Sequence, residues 1–229
     1  MSGRTQLPLA LAHAPSYGRD DFMVGPSNAA ALHLIETWPD WPSPIVLLTG
    51  PQCSGKTHLV HIWAALAGAE IHSGAVLQMH VAPDARIAVD DLAPIGIPED
   101  ALFHLLNSVR ETGGSLLITS RYAAEDWAVS LPDLRSRLRL ASPVALGAPE
   151  DDLLRQVLVK LFADRQLLVE KPVIDYLMTR MERSFSAAVT LVEALDGAAL
   201  AAGRRITRPM AAQVLAQSFE RPGEFADRQ

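Results

Sequence analysis

The residues whose types and spacing point most clearly to chemistry form one run, Gly50-Pro51-Gln52-Cys53-Ser54-Gly55-Lys56-Thr57. This run fits G-x-x-x-x-G-K-[ST], the pattern of a loop that cradles phosphate with backbone N–H groups. The N-terminus of a helix that follows such a loop adds partial positive charge. We therefore expect Lys56 to reach the β- and γ-phosphates of a nucleotide and the Thr57 hydroxyl to ligate Mg²⁺.

The flanking sequence predicts the two elements that must hold this loop. Ile45-Val46-Leu47-Leu48-Thr49 is a short apolar run, typical of a buried parallel strand. From His58 to Leu66 the apolar residues recur at spacings of three and four, which predicts a helix. The alternative is a glycine-serine turn that precedes a helix by chance, and the order strand, loop, Lys-Thr and helix argues against it.

Two further predicted strands end in polar side chains. Arg86-Ile87-Ala88-Val89 leads into Asp90 and Asp91, and the strand Ser115–Ser120 ends in the hydroxyls of Thr119 and Ser120. Beside a phosphate-binding loop, we expect Asp90 to be the acid on the metal side and Asp91 the acid that polarises the attacking water. A polar exit from a strand is the plainer interpretation.

Three other segments each allow a functional and a structural interpretation. Phe22, Met23 and Val24 are suited either to an apolar slot for a nucleotide base or to the core, ahead of a helix over residues 29–38 that Ser27 or Asn28 could cap. Arg135, Arg137 and Arg139 lie close together in a short predicted helix, where a run of charge usually marks a solvated face. Gln6-Leu7-Pro8-Leu9-Ala10-Leu11 is either a strand on the core or a peptide that docks into a partner's groove.

Composition narrows the class of protein. The net charge is −6 and the pI is about 5.6, which disfavours tight direct binding to DNA. The single cysteine, Cys53, excludes an intrachain disulfide and suits a reducing cytosol. The apolar stretch from Leu59 to Ile71 is too short for a bilayer and no signal peptide is evident, so we expect a cytoplasmic protein without a membrane.

From Pro149 onward the periodicity is helical, with helices predicted near 150–165, 172–180 and 184–202 and from Thr207, and Val144–Gly147 is the last predicted strand. Strands that alternate with helices, followed by helices alone, indicate an α/β sandwich with a parallel sheet and a small helical lid. The predicted divisions are an N-terminal peptide over 1–13, a nucleotide-binding αβα domain over 14–148 and the lid over 149–229.

These features together resemble the AAA+ ATPases, and within them the DnaA/Hda branch. The resemblance rests on Gly55–Leu59, Phe22–Asn28, Asp90-Asp91 and Leu131–Leu138, in that family's pattern. It implies an AAA+ fold that binds ATP or ADP with Mg²⁺, with nucleotide contacts from residues 50–58, Met23 and Val24. It also implies that Thr119 and Ser120 form the first nucleotide sensor, and that Arg137 is an arginine finger that acts in trans on a neighbour.

Within this branch the chain is more similar to the Hda regulators than to the initiator DnaA. No helix-turn-helix domain is expected after the lid, and Lys56 and Asp90 are too close in sequence for the extra helices with which the initiator grips single-stranded DNA. Gln6, Leu7, Leu9 and Leu11 resemble the peptide by which Hda binds the sliding clamp.

The resemblance implies a negative regulator of replication initiation. It would dock on the DNA-loaded sliding clamp, the beta subunit of DNA polymerase III, and stimulate ATP hydrolysis by DnaA. It would meet DNA only through the clamp, with a homodimer as a further expected assembly. The alternative is an adaptor or loader that recruits DnaA-like proteins without stimulating hydrolysis. A P-loop kinase is the rival from the enzyme class, and no set of lid arginines that suits one is evident.

Four departures from the family pattern bear on the chain's own ATPase activity. Cys53 stands where the family usually has glycine, and Asp91 replaces the usual glutamate. Thr119 and Ser120 stand where Asn or Asp is more usual, and Phe185 falls where Hda proteins place the sensor-II arginine. We therefore expect nucleotide binding with weak intrinsic hydrolysis.

Overall fold

The computed structural model describes residues 16–75, 82–93 and 95–220, with the side chains of 218–220 left aside. These residues divide into two compact units, one over Tyr17–Glu150 and a helical one that begins at Asp151. Each unit is described by itself below. Gln6, Leu7, Leu9 and Leu11 lie outside the described residues.

The first unit alternates strands and helices, as predicted. Its strands are β1 (Ile45–Thr49), β2 (Glu70–Ser73), β3 (Arg86–Asp90), β4 (Ser115–Ser120) and β5 (Ser142–Ala145). Its helices are α1 (Ala29–Glu36), α2 (Lys56–Ala67), α3 (Glu99–Thr112) and α4 (Pro132–Leu138). The five strands form one parallel sheet in the order β2-β3-β4-β1-β5. The carboxyl ends of β1, β3 and β4 therefore lie side by side at one edge, where parallel sheets carry their sites.

Alternating side chains of the central strands fill two cores, one on each face of the sheet. In β1, Ile45 and Leu47 pack with α3 and α4, while Val46 and Leu48 pack with α1 and α2. All four are buried, as the short apolar run predicted, because a parallel sheet covered by helices on both faces leaves neither face to water.

The second unit contains only helices in its described part. They are α5 (Asp151–Asp164), α6 (Lys171–Met178), α7 (Phe185–Ala202) and α8 (Arg208–Glu220). The Ser184 hydroxyl accepts a 3.1 Å hydrogen bond from the N–H of Ala187 and so caps α7. By length and composition alone α7 could cross a membrane, a test that core helices also pass, and Phe185, Leu191 and Leu195 on it are buried.

The structure corrects three local predictions. The last strand spans Ser142–Ala145 instead of 144–147, because backbone pairing with β1 starts opposite Val46 and includes Pro143. The first helix ends at Glu36, before the Trp38-Pro39 peptide, instead of at Trp38. Asn28 occupies the N-cap position, but its side chain makes no capping bond.

Candidate functional site

The loop between β1 and α2 depends on glycine at two positions. Gly50 has φ +156°, and a Cβ there would lie 2.8 Å from Cβ of Leu146. Gly55 has φ +99°, and a Cβ there would lie 3.0 Å from the ring of Phe22. Neither conformation nor space admits a side chain, so the backbone itself forms the wall of the loop.

Between the two glycines the chain is open to solvent at Pro51, Gln52 and Cys53 and closed at Ser54. Cys53 has φ +60°, a left-handed conformation that costs a side-chain-bearing residue about 1–2 kcal/mol. This conformation gives a physical reason for glycine at that position in the family pattern. The Ser54 hydroxyl is buried and has no hydrogen-bond partner within the described chain.

Lys56, the first residue of α2, is buried with its ammonium group turned into the loop. Its Nζ donates hydrogen bonds of 2.8 Å to the carbonyl oxygens of Gly50 and Pro51. Burial lowers the pKa of Lys56, and the nearby carboxylate of Asp91 opposes this effect. The charge required for phosphate is therefore held in the mouth of the loop by two carbonyls.

The carboxylate of Asp90 joins the loop to the two central strands. Thr57 Oγ1 donates a 2.8 Å hydrogen bond to Asp90 Oδ2, and Thr119 Oγ1 donates one of 2.5 Å to Oδ1. The hydroxyl of Thr57 and the carboxylate of Asp90 are hard oxygen donors that meet at one point, which is the ligand chemistry that Mg²⁺ prefers. These residues fit the ion that the loop pattern implies.

Asp91 follows β3 in a left-handed conformation, with φ +54°, and its side chain is exposed. Its N–H donates a 2.8 Å hydrogen bond to Thr119 Oγ1. Its Oδ1 lies 3.8 Å from Nε of Arg121. The structure therefore keeps Asp91 beside the loop, free of the Thr57–Asp90 contact, and adds a guanidinium that the sequence reasoning missed. The only signal for Arg121 was a basic residue directly after a site strand.

The predicted sensor residues are engaged within the protein. Thr119 is fully buried, and its hydroxyl serves both Asp90 and the N–H of Asp91. Ser120 is also buried, and its hydroxyl donates a 2.9 Å hydrogen bond to the carbonyl of Leu92. Both side chains fix the ends of β3 and β4 in this structure, and Arg121 is the next residue on that strand end.

The segment before α1 packs against the loop through Phe22. The Phe22 ring is buried and meets the His58 ring edge-on, with 5.2 Å between ring centroids. Nε2 of His58 lies 2.8 Å from the carbonyl oxygen of Gly18. His58 therefore fastens the incoming chain to α2, next to the predicted phosphate contacts.

The backbone around Met23 and Val24 is held by hydrogen bonds to the Asn28 side chain, and these two residues do not belong to the core. The Asn28 amide accepts a 2.9 Å hydrogen bond from the N–H of Gly25 and donates one of 2.9 Å to the carbonyl of Met23. Met23 is half-buried and Val24 is 43% exposed. Of the three predicted apolar residues Phe22 belongs to the core, while Met23 and Val24 remain accessible.

The three clustered arginines of the short helix have different surroundings. The Arg135 guanidinium donates a hydrogen bond to the carbonyl of Val129. The segment before α4 is held by Glu99, whose carboxylate accepts hydrogen bonds from the N–H groups of Ser130 and Leu131 at 2.8 and 2.7 Å. Arg137 is half-buried, and its guanidinium makes no hydrogen bond or ion pair with the described residues. Arg139 has no such partner either and is exposed.

Phe185, at the position of a second sensor, and Arg183, the arginine two residues before it, both have contacts within the lid. Phe185 is buried at the start of α7. Nη1 of Arg183 pairs with Oδ1 of Asp151 at 2.6 Å. Neither residue presents a free guanidinium in this part of the structure.

Comparison with known proteins shows a likeness in the lid sequence and in the fold. Residues 151–215 match the family described as Hda, lid domain. The fold superposes on domain III of the Thermotoga maritima replication initiation protein DnaA with a TM-score of 0.74 at 16% identity, covering 89% of this chain and 97% of that one. The chain is thus DnaA/Hda-like and has an AAA+ fold. Its predicted fold, an αβα sandwich with a helical lid, is confirmed.

Other matches of this DnaA/Hda-like chain are 28% identical or less. An uncharacterized protein of Haemophilus influenzae is 28% identical, over 92% of this chain and 98% of its own length. AMPPCP-bound DnaA from Aquifex aeolicus has a TM-score of 0.66 at 17% identity, with 91% of this chain and 71% of that one covered. The Thermotoga maritima RuvB branch migration motor has a TM-score of 0.67 at 17% identity, covering 88% and 72%. At these identities the structures show a shared fold.

Proposed function

We propose that this protein is a DnaA-related regulator of replication initiation that acts on the nucleotide of a neighbouring AAA+ subunit. The observation that carries the proposal is Arg137, a half-buried residue whose guanidinium has no partner among the described residues, on a helix whose preceding segment is fixed by Glu99. Such a group is pre-organised to meet an external anion. The match of the lid to the Hda family supports DnaA as the neighbour.

The chain's own loop binds ATP or ADP in this proposal. Residues 50–58 line the phosphates, with Lys56 exchanging its two carbonyl partners for phosphate oxygens. Met23 and Val24 lie on the accessible segment beside the loop and contact the base. Thr57 and Asp90 hold Mg²⁺, whose contribution is to neutralise charge on the β- and γ-phosphates.

Hydrolysis at this site is proposed to be slow, so that the bound nucleotide is mainly structural. Asp91 is the group placed to polarise water, but its arm is shorter than a glutamate and Arg121 lies beside it. The hydroxyls of Thr119 and Ser120, the predicted sensor, donate hydrogen bonds to Asp90 and Leu92. The ATP hydrolysis that matters for regulation then takes place at the partner's site, where Arg137 assists it.

Recruitment rests on the N-terminal peptide. Gln6, Leu7, Leu9 and Leu11 are proposed to dock into the sliding clamp, which places the protein on DNA and so at the nucleoid in the cytoplasm. The division into peptide 1–13, AAA+ domain 14–148 and lid 149–229 is part of this proposal, as is a homodimer.

The decisive experiment measures ATP turnover by the initiator DnaA with clamp, DNA and this protein present, and with each omitted in turn. A regulator raises turnover only when all components are present. An adaptor or loader co-purifies with the initiator and the clamp but leaves turnover at its basal rate, and that result would overturn the proposal.

A further inference from the structure

Two arginines of the lid stack on one tyrosine. The Arg180 guanidinium carbon lies 4.1 Å from the ring centroid of Tyr176, and that of Arg208 lies 5.0 Å from the same centroid. Nη1 of Arg180 also donates a 2.9 Å hydrogen bond to the hydroxyl of Thr179. Stacking holds a guanidinium plane in place while its N–H edges stay open, so less side-chain entropy is lost when those edges bind a ligand.

Two more arginines precede Arg208 on the short connection between α7 and α8. Gly203 ends α7 with φ +59°, and the buried side chain of Ile206 anchors the connection. Arg204 and Arg205 lie between these two points and are exposed, as are Arg180 and Arg208. Since a residue spans at most about 3.6 Å of chain, Arg205 is within roughly 11 Å of Arg208. We call Tyr176 with these four arginines the lid arginine cluster.

The arginines of the cluster differ from the other basic residues of the lid in having no carboxylate partner among the described residues. Every other basic side chain in the described part of the lid forms an ion pair with a carboxylate: Arg155, Lys160, Arg165, Lys171 and Arg183. No carboxylate of the described residues pairs with the four arginines of the cluster. On a chain of net charge −6, uncompensated positive charge is thus gathered at one end of the lid.

We propose that the lid arginine cluster binds the phosphate backbone of duplex DNA. Arginine forks match phosphate oxygens in a bidentate geometry, and an array of exposed guanidiniums matches the closely spaced charges of a duplex. The nearest exposed large hydrophobic side chain in sequence is Leu200, and none lies within 171–180 or 203–208. An acidic peptide would need apolar anchors for affinity, so the composition of the cluster favours DNA.

The inference goes beyond the proposed function, in which DNA is met only through the clamp. Binding is independent of base sequence and weak by itself, because few phosphates are contacted and the rest of the protein is acidic. A clamp already loaded on DNA would hold the cluster at a high effective concentration of phosphate, so that weak binding suffices. The overall negative charge then limits binding to DNA away from clamps.

The test uses the full chain with a fluorescein-labelled duplex of arbitrary sequence, and measures anisotropy at several salt concentrations without clamp or initiator. The variant Arg204→Ala/Arg205→Ala should bind about tenfold more weakly or worse at low salt. The plot of log binding constant against log salt concentration should become shallower by roughly 1.8, since each lost phosphate contact removes about 0.9 from the magnitude of the slope. Lys171→Ala/Arg183→Ala removes the same charge from exposed, carboxylate-paired lid positions and should bind like the wild type.

Equal affinity and slope for the two double variants would overturn the proposal, as would an absence of salt dependence in the wild type. If Arg204→Ala/Arg205→Ala instead lost binding to the initiator and kept its DNA affinity, the partner of the cluster would be a protein. Because no clamp or initiator is present in the DNA measurement, its failure is separate from failure of the proposed regulation. Arg137→Ala should leave this DNA affinity unchanged.

Discussion

The Thr57 hydroxyl donates a 2.8 Å hydrogen bond to Oδ2 of Asp90, which ties the start of α2 to the end of β3. The second oxygen of the same carboxylate accepts from Thr119 on β4. One side chain thus joins three neighbouring elements at the carboxyl edge of the sheet. Anything that displaces Asp90 must disturb both the phosphate-binding loop and the strand next to it.

The first prediction concerns Thr119, which is fully buried and serves two partners. Thr119→Val keeps the shape but leaves the N–H of Asp91 without its acceptor, so we expect the free energy of unfolding to fall by about 1–3 kcal/mol. Urea denaturation measures the loss. Thr119→Ser retains the hydroxyl and should lose less, and equal losses for the two variants would show that the hydrogen bonds do not matter.

The second prediction concerns Lys56. Lys56→Ala removes the charge that faces the β- and γ-phosphates, and charge-assisted bonds to phosphate are worth about 1.5–3 kcal/mol each. Calorimetry should therefore show a tenfold or greater loss of ATP or ADP affinity. Lys171→Ala, at an exposed position of the lid, is the matched control. Affinity that is unchanged in Lys56→Ala would mean that the loop is not a nucleotide site.

The third prediction concerns the N-terminal peptide. Replacing both Gln6 and Leu7 with alanine should abolish binding to the sliding clamp, because a few anchors dominate a peptide interface. The melting temperature and the nucleotide affinity should stay nearly constant, since an extended terminus contributes little to a core. Alanines at Arg4 and Thr5 provide a control in the same segment. Loss of the fold in the Gln6/Leu7 variant would identify the segment as a structural strand.

The fourth prediction is a pH dependence that arises from Glu99. Hydrogen bonds from the N–H groups of Ser130 and then Leu131 lower the pKa of Glu99 below its ordinary value of 4.5. A lowered folded-state pKa stabilises the protein above the unfolded-state pKa, and that stability is lost as the pH falls through the folded-state value. Glu99→Gln should therefore melt at a lower temperature than the wild type at neutral pH.

The difference in melting temperature between Glu99→Gln and wild type should shrink once the pH falls below about 4.5, the ordinary value for the carboxyl. Asp100→Asn, at the next residue of α3 and exposed, tests whether any lost carboxylate there has the same effect. A difference that stays constant from neutral to acid pH would show that ionised Glu99 does not hold the segment before α4.

The sequence predicted the parts of the fold that depend on local patterns. The strands Ile45–Thr49 and Ser115–Ser120 were predicted at their observed bounds because both are unbroken apolar runs that end in polar residues. The strand at Ser142–Ala145 was misplaced, because Pro143 breaks the apolar pattern while still occupying a place beside β1. The ends of this strand are determined by its pairing with a neighbouring strand, and the local sequence carries no information about that pairing.

Two of the missed site contacts join residues that are distant in sequence. Arg121 became a site residue only because its guanidinium lies beside Asp91, at the end of the neighbouring strand. Glu99 is the first residue of α3, and its role comes from Ser130 and Leu131 far along the chain. A third miss is local: Ser27 or Asn28 was expected to cap a helix, but the Asn28 side chain fixes the turn at Met23 and Gly25 instead, because its two amide atoms bond to residues just earlier in the chain.

The last prediction concerns Arg137, whose guanidinium has no partner among the described residues. As a finger acting in trans it would spread positive charge over the transferring phosphoryl group of the partner, where such residues are worth about 10³–10⁵ in rate. Arg137→Ala should therefore remove the stimulation of initiator ATP hydrolysis. Nucleotide binding, clamp binding and thermal stability should remain as in the wild type, because the side chain supports none of them.

Two companion variants sharpen this test. Arg137→Lys should rescue stimulation poorly, because a point charge lacks the planar fork that matches phosphate oxygens. Arg139→Ala removes an equally unpartnered and more exposed charge two residues away, and it should leave stimulation intact. The measurement is initiator ATP turnover with clamp and DNA present. Full stimulation by Arg137→Ala would exclude it as the finger and point to Arg135, whose guanidinium would then have to leave the carbonyl of Val129 to reach the partner.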